Sequence, residues 1–346
     1  MEKKKILVLF GGCSTEYEVS LQSAYSVIRA MNPEKYELLL CGINRQGEVY
    51  LFEDNVDLIP QDKWLSGKIF PATIAMSRKV HGLYVCRGEK TETIWIDAAF
   101  PVLHGKNGED GSVQGLCQLA GIPIVGCTMQ PSVIGMDKDL AHNLVEEAGI
   151  RVPKSVLLCR VSEVEEKQEA IEKIGYPLFV KPVRAGSSFG ITKVSRQEEL
   201  KKAVEMAFEH DAQVILEENI EGFEVGCAIV GNEDLIVGRV DEIELSQGFF
   251  DYAEKYTLKT SAIHMPARID EETEKNIQEA AQKIYRVLGC CGFTRVDMFL
   301  TKEKEIVFNE INTIPGFTEH SRFPNMLKGV GYSFEQVVDM LISLAK

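Results

Sequence analysis

The chain has 346 residues, 45% hydrophobic and 26% charged, more than one compact core usually supports, so two or three closely associated α/β domains are expected. Its longest apolar runs, such as residues 6–10, are too short to span a bilayer, and the charged start runs straight into a strand without a cleavable apolar leader, which reads as a cytoplasmic protein with no membrane partner. A net charge of −14 and a pI near 5.1 disfavour nucleic acid as a partner, and nine cysteines without a CxxC pair read as reduced core thiols rather than zinc ligands or disulfides.

In chain order, an aliphatic strand over residues 5–10 is broken by Gly11-Gly12, and helical apolar spacing follows from Glu18 to Met31. Strands are predicted from Tyr36 to Ile43 and from Ile94 to Leu103, with a less regular stretch between them. A helix from Gln114 to Ala120 then stops at Gly121 before a short strand. This alternation implies an open, largely parallel sheet over roughly the first 125 residues. A helix from Asp137 to Gly149 leads to a second unit, with a charged amphipathic helix from Glu163 to Ile174 and a strand from Tyr176 to Val183. A Gly/Ser-rich turn at Gly186–Gly190, a helix from Glu198 to Phe208 and a strand from Val214 to Glu218 complete it. The third unit is β-rich, with strands over Phe223–Val230 and Leu235–Leu245, a polar aromatic loop at 246–262, a helix from Glu271 to Leu288, strands over Phe293–Leu300 and Glu305–Asn309, and a last helix from Ser333 to Leu344. The domains are drawn as 1–127, 128–213 and 214–346.

Chemistry concentrates at a few places. Alternation along a strand puts Arg295 and Asp297 on one face, and Glu310 and Asn312 on one face of the next strand. If the two faces coincide, hard oxygen donors without His or Cys suit magnesium held partly by substrate phosphates. Solvated strands would look similar, but the apolar flanks Val296, Phe299, Val307 and Ile311 make polar groups there costly unless used. Lys181 at the end of a strand, followed by Gly186-Ser187-Ser188-Phe189-Gly190, can supply a point charge and backbone N–H groups to phosphates, although the same residues serve equally as a plain turn. Phe249-Phe250-Asp251-Tyr252 with Glu254-Lys255-Tyr256 reads as a lid that excludes water, or as an aromatic cluster pinning a loop. His104 ends a strand and Glu18 opens a helix; both also have ordinary structural readings.

Eight segments in order resemble the D-alanine:D-alanine ligase family of the ATP-grasp superfamily over essentially the whole chain. They are Phe10-Gly11-Gly12 with Glu16-x-Glu18, His104 to Gly111, Met136-Asp137-Lys138, Lys181-Pro182, Gly186-Ser187-Ser188, Phe249 to Tyr256, Arg295-x-Asp297, and Asn309 to Gly316. The resemblance implies an ATP-grasp ligase with an N-terminal parallel α/β domain, a central α+β domain and a C-terminal β-rich domain. It implies ATP and two Mg²⁺ ions as cofactors, with Mn²⁺ able to substitute, and a homodimer. Lys138, Lys181 and Ser188 are then expected at the phosphates, Glu217 and Glu224 at the base hinge and ribose, and Asp297, Glu310 and Asn312 at the metals. Glu16 would fix the ammonium of the first D-alanine, with His104 near its carboxylate. Arg295 and the Gly316 N–H would meet the oxyanion, and Ser321 would hold the second substrate's carboxylate. Glu16, Ser187 and Tyr256 are expected to form one hydrogen-bonded unit in the closed state.

Two departures from the family's usual pattern, Phe250 and the pair Ser321-Arg322, resemble the VanG-type D-alanine:D-serine ligases of vancomycin resistance. D-Alanine and D-serine are therefore the expected substrates, with Phe250, Lys255 and Arg322 at the second site. The product would be a D-Ala-D-Ser dipeptide for modified peptidoglycan precursors. A D-alanine:D-alanine ligase with broad second-site tolerance is the alternative. The lid's Lys255-Tyr256 end disfavours D-lactate.

Overall fold

The computed structural model describes residues 2–186, 190–245 and 261–346. Ser187, Ser188, Phe250, Lys255, Tyr256 and nearly all of the proposed 246–262 lid lie outside the described residues.

Three sheets follow one another along the chain. The first has seven strands in the order β6-β5-β4-β3-β2-β1-β7, with β1 Lys4–Gly11, β2 Tyr36–Ile43, β3 Val49–Phe52, β4 Ile69–Ile74, β5 Gly82–Arg87, β6 Lys90–Trp95 and β7 Ala98–Pro101. One end of it is parallel, β1 pairing with both β2 and the edge strand β7. The four strands beyond β2 form an antiparallel meander, so the parallel sheet expected for this unit is confined to the three strands β2, β1 and β7 at one end. The single strand expected at 94–103 is two, because the chain leaves β6 at Trp95 and crosses to the far edge as β7. Helix Tyr17–Ala30 turns Tyr17, Leu21, Ala24 and Val27 onto this sheet. Ser20 near its start accepts from the Gly11 N–H (2.8 Å) and donates to the Val102 carbonyl, locking the helix to the ends of β1 and β7.

The second sheet, β10-β9-β11-β8, joins β8 Ser155–Leu158, β9 Leu178–Pro182, β10 Thr192–Val194 and β11 Val214–Glu218, all antiparallel. The amphipathic helix expected over 163–174 is interrupted, giving Glu163–Glu166 and Gln168–Ile174. A boundary at 213/214 would cut β11 away from its partners; we propose that it falls instead in the turn between Glu218 and Gly222.

The third sheet is β14-β13-β12-β15-β16, built from β12 Gly222–Gly231, β13 Leu235–Leu245, β14 Ser261–His264, β15 Phe293–Thr301 and β16 Ile306–Asn312. Helix Glu271–Val287 covers one face through Ile277, Ala281 and Ile284. Its N-cap is Asp270, whose side chain accepts from the Thr273 N–H (2.9 Å). The opposite face meets the first unit. There Phe293 lies edge-on to Phe100 (6.3 Å) and Phe317 (5.7 Å), and Phe317 packs on Phe323 (5.5 Å). Aromatic pairs of this kind add about 0.5–1.5 kcal/mol beyond their burial, so this cluster fixes the first unit against the third. No described helix is long and apolar enough to cross a membrane.

Candidate active site

A cavity of about 670 Å³ opens where the three units meet. Each wall comes from a distinct local cause. At the first unit, the locked turn after β1 delivers Glu16, which is buried, to the rim of the loop that follows β7. Gly105 in that loop has φ +66°, and a Cβ there would stand 2.7 Å from a Glu16 oxygen, so the approach depends on glycine. At the second unit, Asp137 caps helix Lys138–Glu147 by accepting from the Leu140 N–H (3.0 Å). Lys138 is thereby aimed inward, its ammonium donating to the Ala185 carbonyl at 3.0 Å and lying 3.9 Å from Glu310.

The third unit supplies the floor. The register of β15 and β16 sets Arg295 opposite Asn312 and Asp297 opposite Glu310, so the two faces named from sequence are one face. Arg295 grips Asp297 with Nε (2.8 Å) and Nη2 (2.6 Å), and Asn312 Nδ2 donates to the same carboxylate at 2.8 Å. The set fits a divalent cation in its chemistry: two carboxylates and an amide oxygen on neighbouring strands, beside a cavity lined by Glu310 and Asn312. No group of three His, Cys, Asp or Glu that could hold a metal ion is gathered among the described residues.

Arg322 is a heavily paired residue in the cavity wall. Its side chain is only 8% exposed and is held by three carboxylates: Asp241 by Nε (2.7 Å) and Nη2 (2.8 Å), Glu224 by Nη1 (3.1 Å), and Asp297 at 3.4 Å. A Cβ on Gly226 would come within 2.4 Å of the guanidinium, so the strand beneath it must be bare at that point. Arg322 lines the cavity with Nε, Nη1 and Nη2 each donating to an acid, so most of its donors are not offered to a serine hydroxyl. Glu224, expected at a ribose, is bound into the same cluster.

Lys181 and Glu217, expected at the phosphates and the base hinge, are a buried pair at 2.5 Å that does not line the cavity. Burial pushes the Glu217 carboxyl up, but Lys181, His142 and Lys138 together outweigh it and hold it below the usual range. Ser321 faces the cavity, shares a 2.9 Å hydrogen bond with the Thr318 hydroxyl and accepts from the Thr318 N–H. Of the residues named from sequence, Glu16, His104, Lys138, Arg295, Glu310, Asn312, Gly316, Ser321 and Arg322 share the one cavity.

His104 is buried, and burial holds its imidazole below the usual range against the pull of Glu16. Its Nδ1 faces the Ile314 carbonyl at 2.9 Å, and since a carbonyl only accepts, that nitrogen carries the proton. Nε2 then accepts from the Ser23 hydroxyl (3.3 Å).

Three residues of this region carry no role in the sequence reading: Asp241, Glu109 and Ser23. Asp241 could have been noticed as an acid inside the strand Leu235–Leu245 beside Val240, a costly place for an unused charge. Glu109 stood inside a quoted motif; Ser23 had no signal at all. The Glu109 carboxyl is pushed up to about 8, first by burial and then by the charge of Glu16. A raised carboxyl binds its proton more tightly in the folded chain, so stability declines as pH rises from the ordinary glutamate value of 4.5 through about 8. Glu109→Gln removes that titration. The Tm of the variant relative to wild type is expected to climb steadily between pH 5 and 9, and a flat difference across that range contradicts the assignment.

Comparison with known proteins decides the family. The D-ala D-ala ligase N-terminus model matches residues 5–127 and the D-ala D-ala ligase C-terminus model residues 144–343. The chain belongs to the D-alanine–D-alanine ligase family. The ligase resembles the crystal structure of VanG D-Ala:D-Ser ligase from Enterococcus faecalis, with a TM-score of 0.93 and 57% identity over 99% of both chains. It is 46% identical to the vancomycin B-type resistance protein VanB of Enterococcus faecalis, covering 100% of this chain and 99% of that one. It is 39% identical to a D-alanine–D-alanine ligase of Caldicellulosiruptor bescii, covering 100% and 96%. The ligase is thus an enzyme forming a carbon–nitrogen bond, in a family that holds both vancomycin-resistance proteins and D-alanine–D-alanine ligases.

Proposed function

We propose that this ligase is an ATP- and Mg²⁺-dependent D-alanine:D-serine ligase. What carries the reading is one cavity uniting Glu16, His104, Arg295, Glu310, Gly316 and Ser321, in a chain 57% identical to a D-Ala:D-Ser ligase. The carboxylate of the first D-alanine attacks the γ-phosphoryl group of ATP, releasing ADP and leaving D-alanyl phosphate. Glu16 binds the ammonium of that D-alanine, and Lys138 and Lys181 offset phosphate charge, Lys181 exchanging part of its contact with Glu217. Bound Mg²⁺, held by Asp297, Glu310 and Asn312, supplies charge neutralisation for the phosphoryl oxygens.

The amine of the second substrate, its carboxylate held by Ser321, then attacks the acyl carbon and inorganic phosphate departs. Arg295 and the Gly316 N–H receive the tetrahedral oxyanion. With Nε–H and one Nη2–H on Asp297, the Arg295 donors left for that oxygen among the described residues are the second Nη2–H and the two on Nη1. The dimer and the cytoplasmic location belong to the same proposal.

The alternative, a D-alanine:D-alanine ligase with broad second-site tolerance, is favoured by one observation: each Arg322 nitrogen already donates to Asp241 or Glu224. Mass spectrometry of the products from ATP, Mg²⁺ and equimolar D-alanine and D-serine separates the two. D-Ala-D-Ser is expected to predominate; predominant D-Ala-D-Ala establishes the alternative, and no dipeptide at all overturns the ligase mechanism.

A further inference from the structure

The segment from Ile314 to Phe317, which carries Gly316, is tied down from the first unit at both ends. The Ile314 N–H donates to Glu109 Oε1 at 3.1 Å, and the Ile314 carbonyl accepts from His104 Nδ1 at 2.9 Å. The Phe317 N–H donates to Ser23 Oγ at 3.2 Å, and that hydroxyl donates onward to His104. Glu109 is itself oriented by its other oxygen, which accepts from the Gly105 N–H at 2.8 Å, so both oxygens of one carboxylate hold backbone donors more than 200 residues apart in the chain. Between the two ties lies Pro315, whose ring fixes φ and leaves little freedom to the peptide entering Gly316.

Both polar groups of one backbone residue are thus taken by two side chains of one loop, and that loop shares the cavity with Gly316. Glu109 has no chemical part in the reaction as proposed. We propose that Glu109 is a positioning residue for acyl transfer, acting with His104 to clamp Ile314 and so to aim the Gly316 N–H at the oxyanion of the second step. This rests on the ligase reading above. Attack of the D-alanine carboxylate on phosphorus builds no tetrahedral carbon and so makes the smaller demand on that donor. Attack of the second amine builds one, and a donor displaced by about 1 Å there costs on the order of 100-fold in rate.

The test separates the two steps. D-Alanine-dependent positional isotope exchange in ATP labelled with ¹⁸O at the β,γ-bridge reports acyl phosphate formation; dipeptide release reports the whole reaction. Glu109→Ala is expected to lose about 100-fold in dipeptide kcat while exchange stays within about threefold of wild type. Glu109→Gln, which keeps one acceptor, should recover roughly tenfold of that loss. Should the alanine variant fail to fold, Ser23→Ala frees the Phe317 end of the same segment and is expected to show the same split. Equal loss in both assays, or loss in neither, overturns the clamp while leaving the ligase reading intact. A wild-type protein with neither exchange nor dipeptide overturns the ligase reading itself.

Discussion

Arg322→Met is expected to destabilise the fold by about 3–5 kcal/mol and to depress activity with D-serine and D-alanine alike. The guanidinium is the common partner of Asp241, Glu224 and Asp297, drawn from β13, β12 and β15. Removing it leaves Asp241, 1% exposed at its side chain, with the Gly226 N–H as its remaining hydrogen-bond donor among the described residues and a buried charge uncompensated. Asp297 would also lose one of the cations that fix it opposite Glu310. The residue type alone suggested a selective loss of D-serine use; its burial predicts a general one. Urea unfolding midpoints with parallel kcat/KM values for the two amino acids check this. A variant as stable as wild type that has lost only D-serine would restore the direct-contact reading.

Arg295→Ala is expected to lower turnover by about 100- to 1000-fold, the usual cost of losing one preorganised oxyanion donor. The fold should survive better than with Arg322→Met, since Asp297 keeps the Asn312 amide at 2.8 Å and Arg322 at 3.4 Å. Glu310→Gln should be comparably harmful to turnover, because it removes a charge from the proposed Mg²⁺ site without disturbing the Arg295–Asp297 clasp. Steady-state kinetics of dipeptide formation at saturating ATP, with a thermal melt as the folding control, read both. Near-normal turnover in a folded Arg295→Ala or Glu310→Gln variant would remove the chemistry assigned to this floor.

The amino-acid sequence by itself determined the run of elements wherever periodicity was strong. The helix predicted from Glu198 and the one observed, Gln197–Phe208, differ by one residue, because Leu200, Ala203, Val204 and Ala207 repeat at helical spacing and are buried. Alternation also placed Arg295 with Asp297, and Glu310 with Asn312, since side chains in a strand change face at each residue. Periodicity found β1 and β2 but failed in the outer strands of the first sheet. β6 reads Lys-Thr-Glu-Thr-Ile-Trp and is exposed along nearly all its length at the sheet edge, so no buried face printed an alternation in it. Tertiary structure decided the rest. Nothing local says that β11 joins the second sheet, because strand partners are chosen by long-range pairing. Nor does Ser321-Arg322 announce that its arginine points into acids from three strands, or Glu109 that it will hold a peptide 205 residues away. Residue identity carries the charge and the hydrogen-bonding capacity; which partner uses it is set by packing, because contacts between distant segments exist only once the sheets have met.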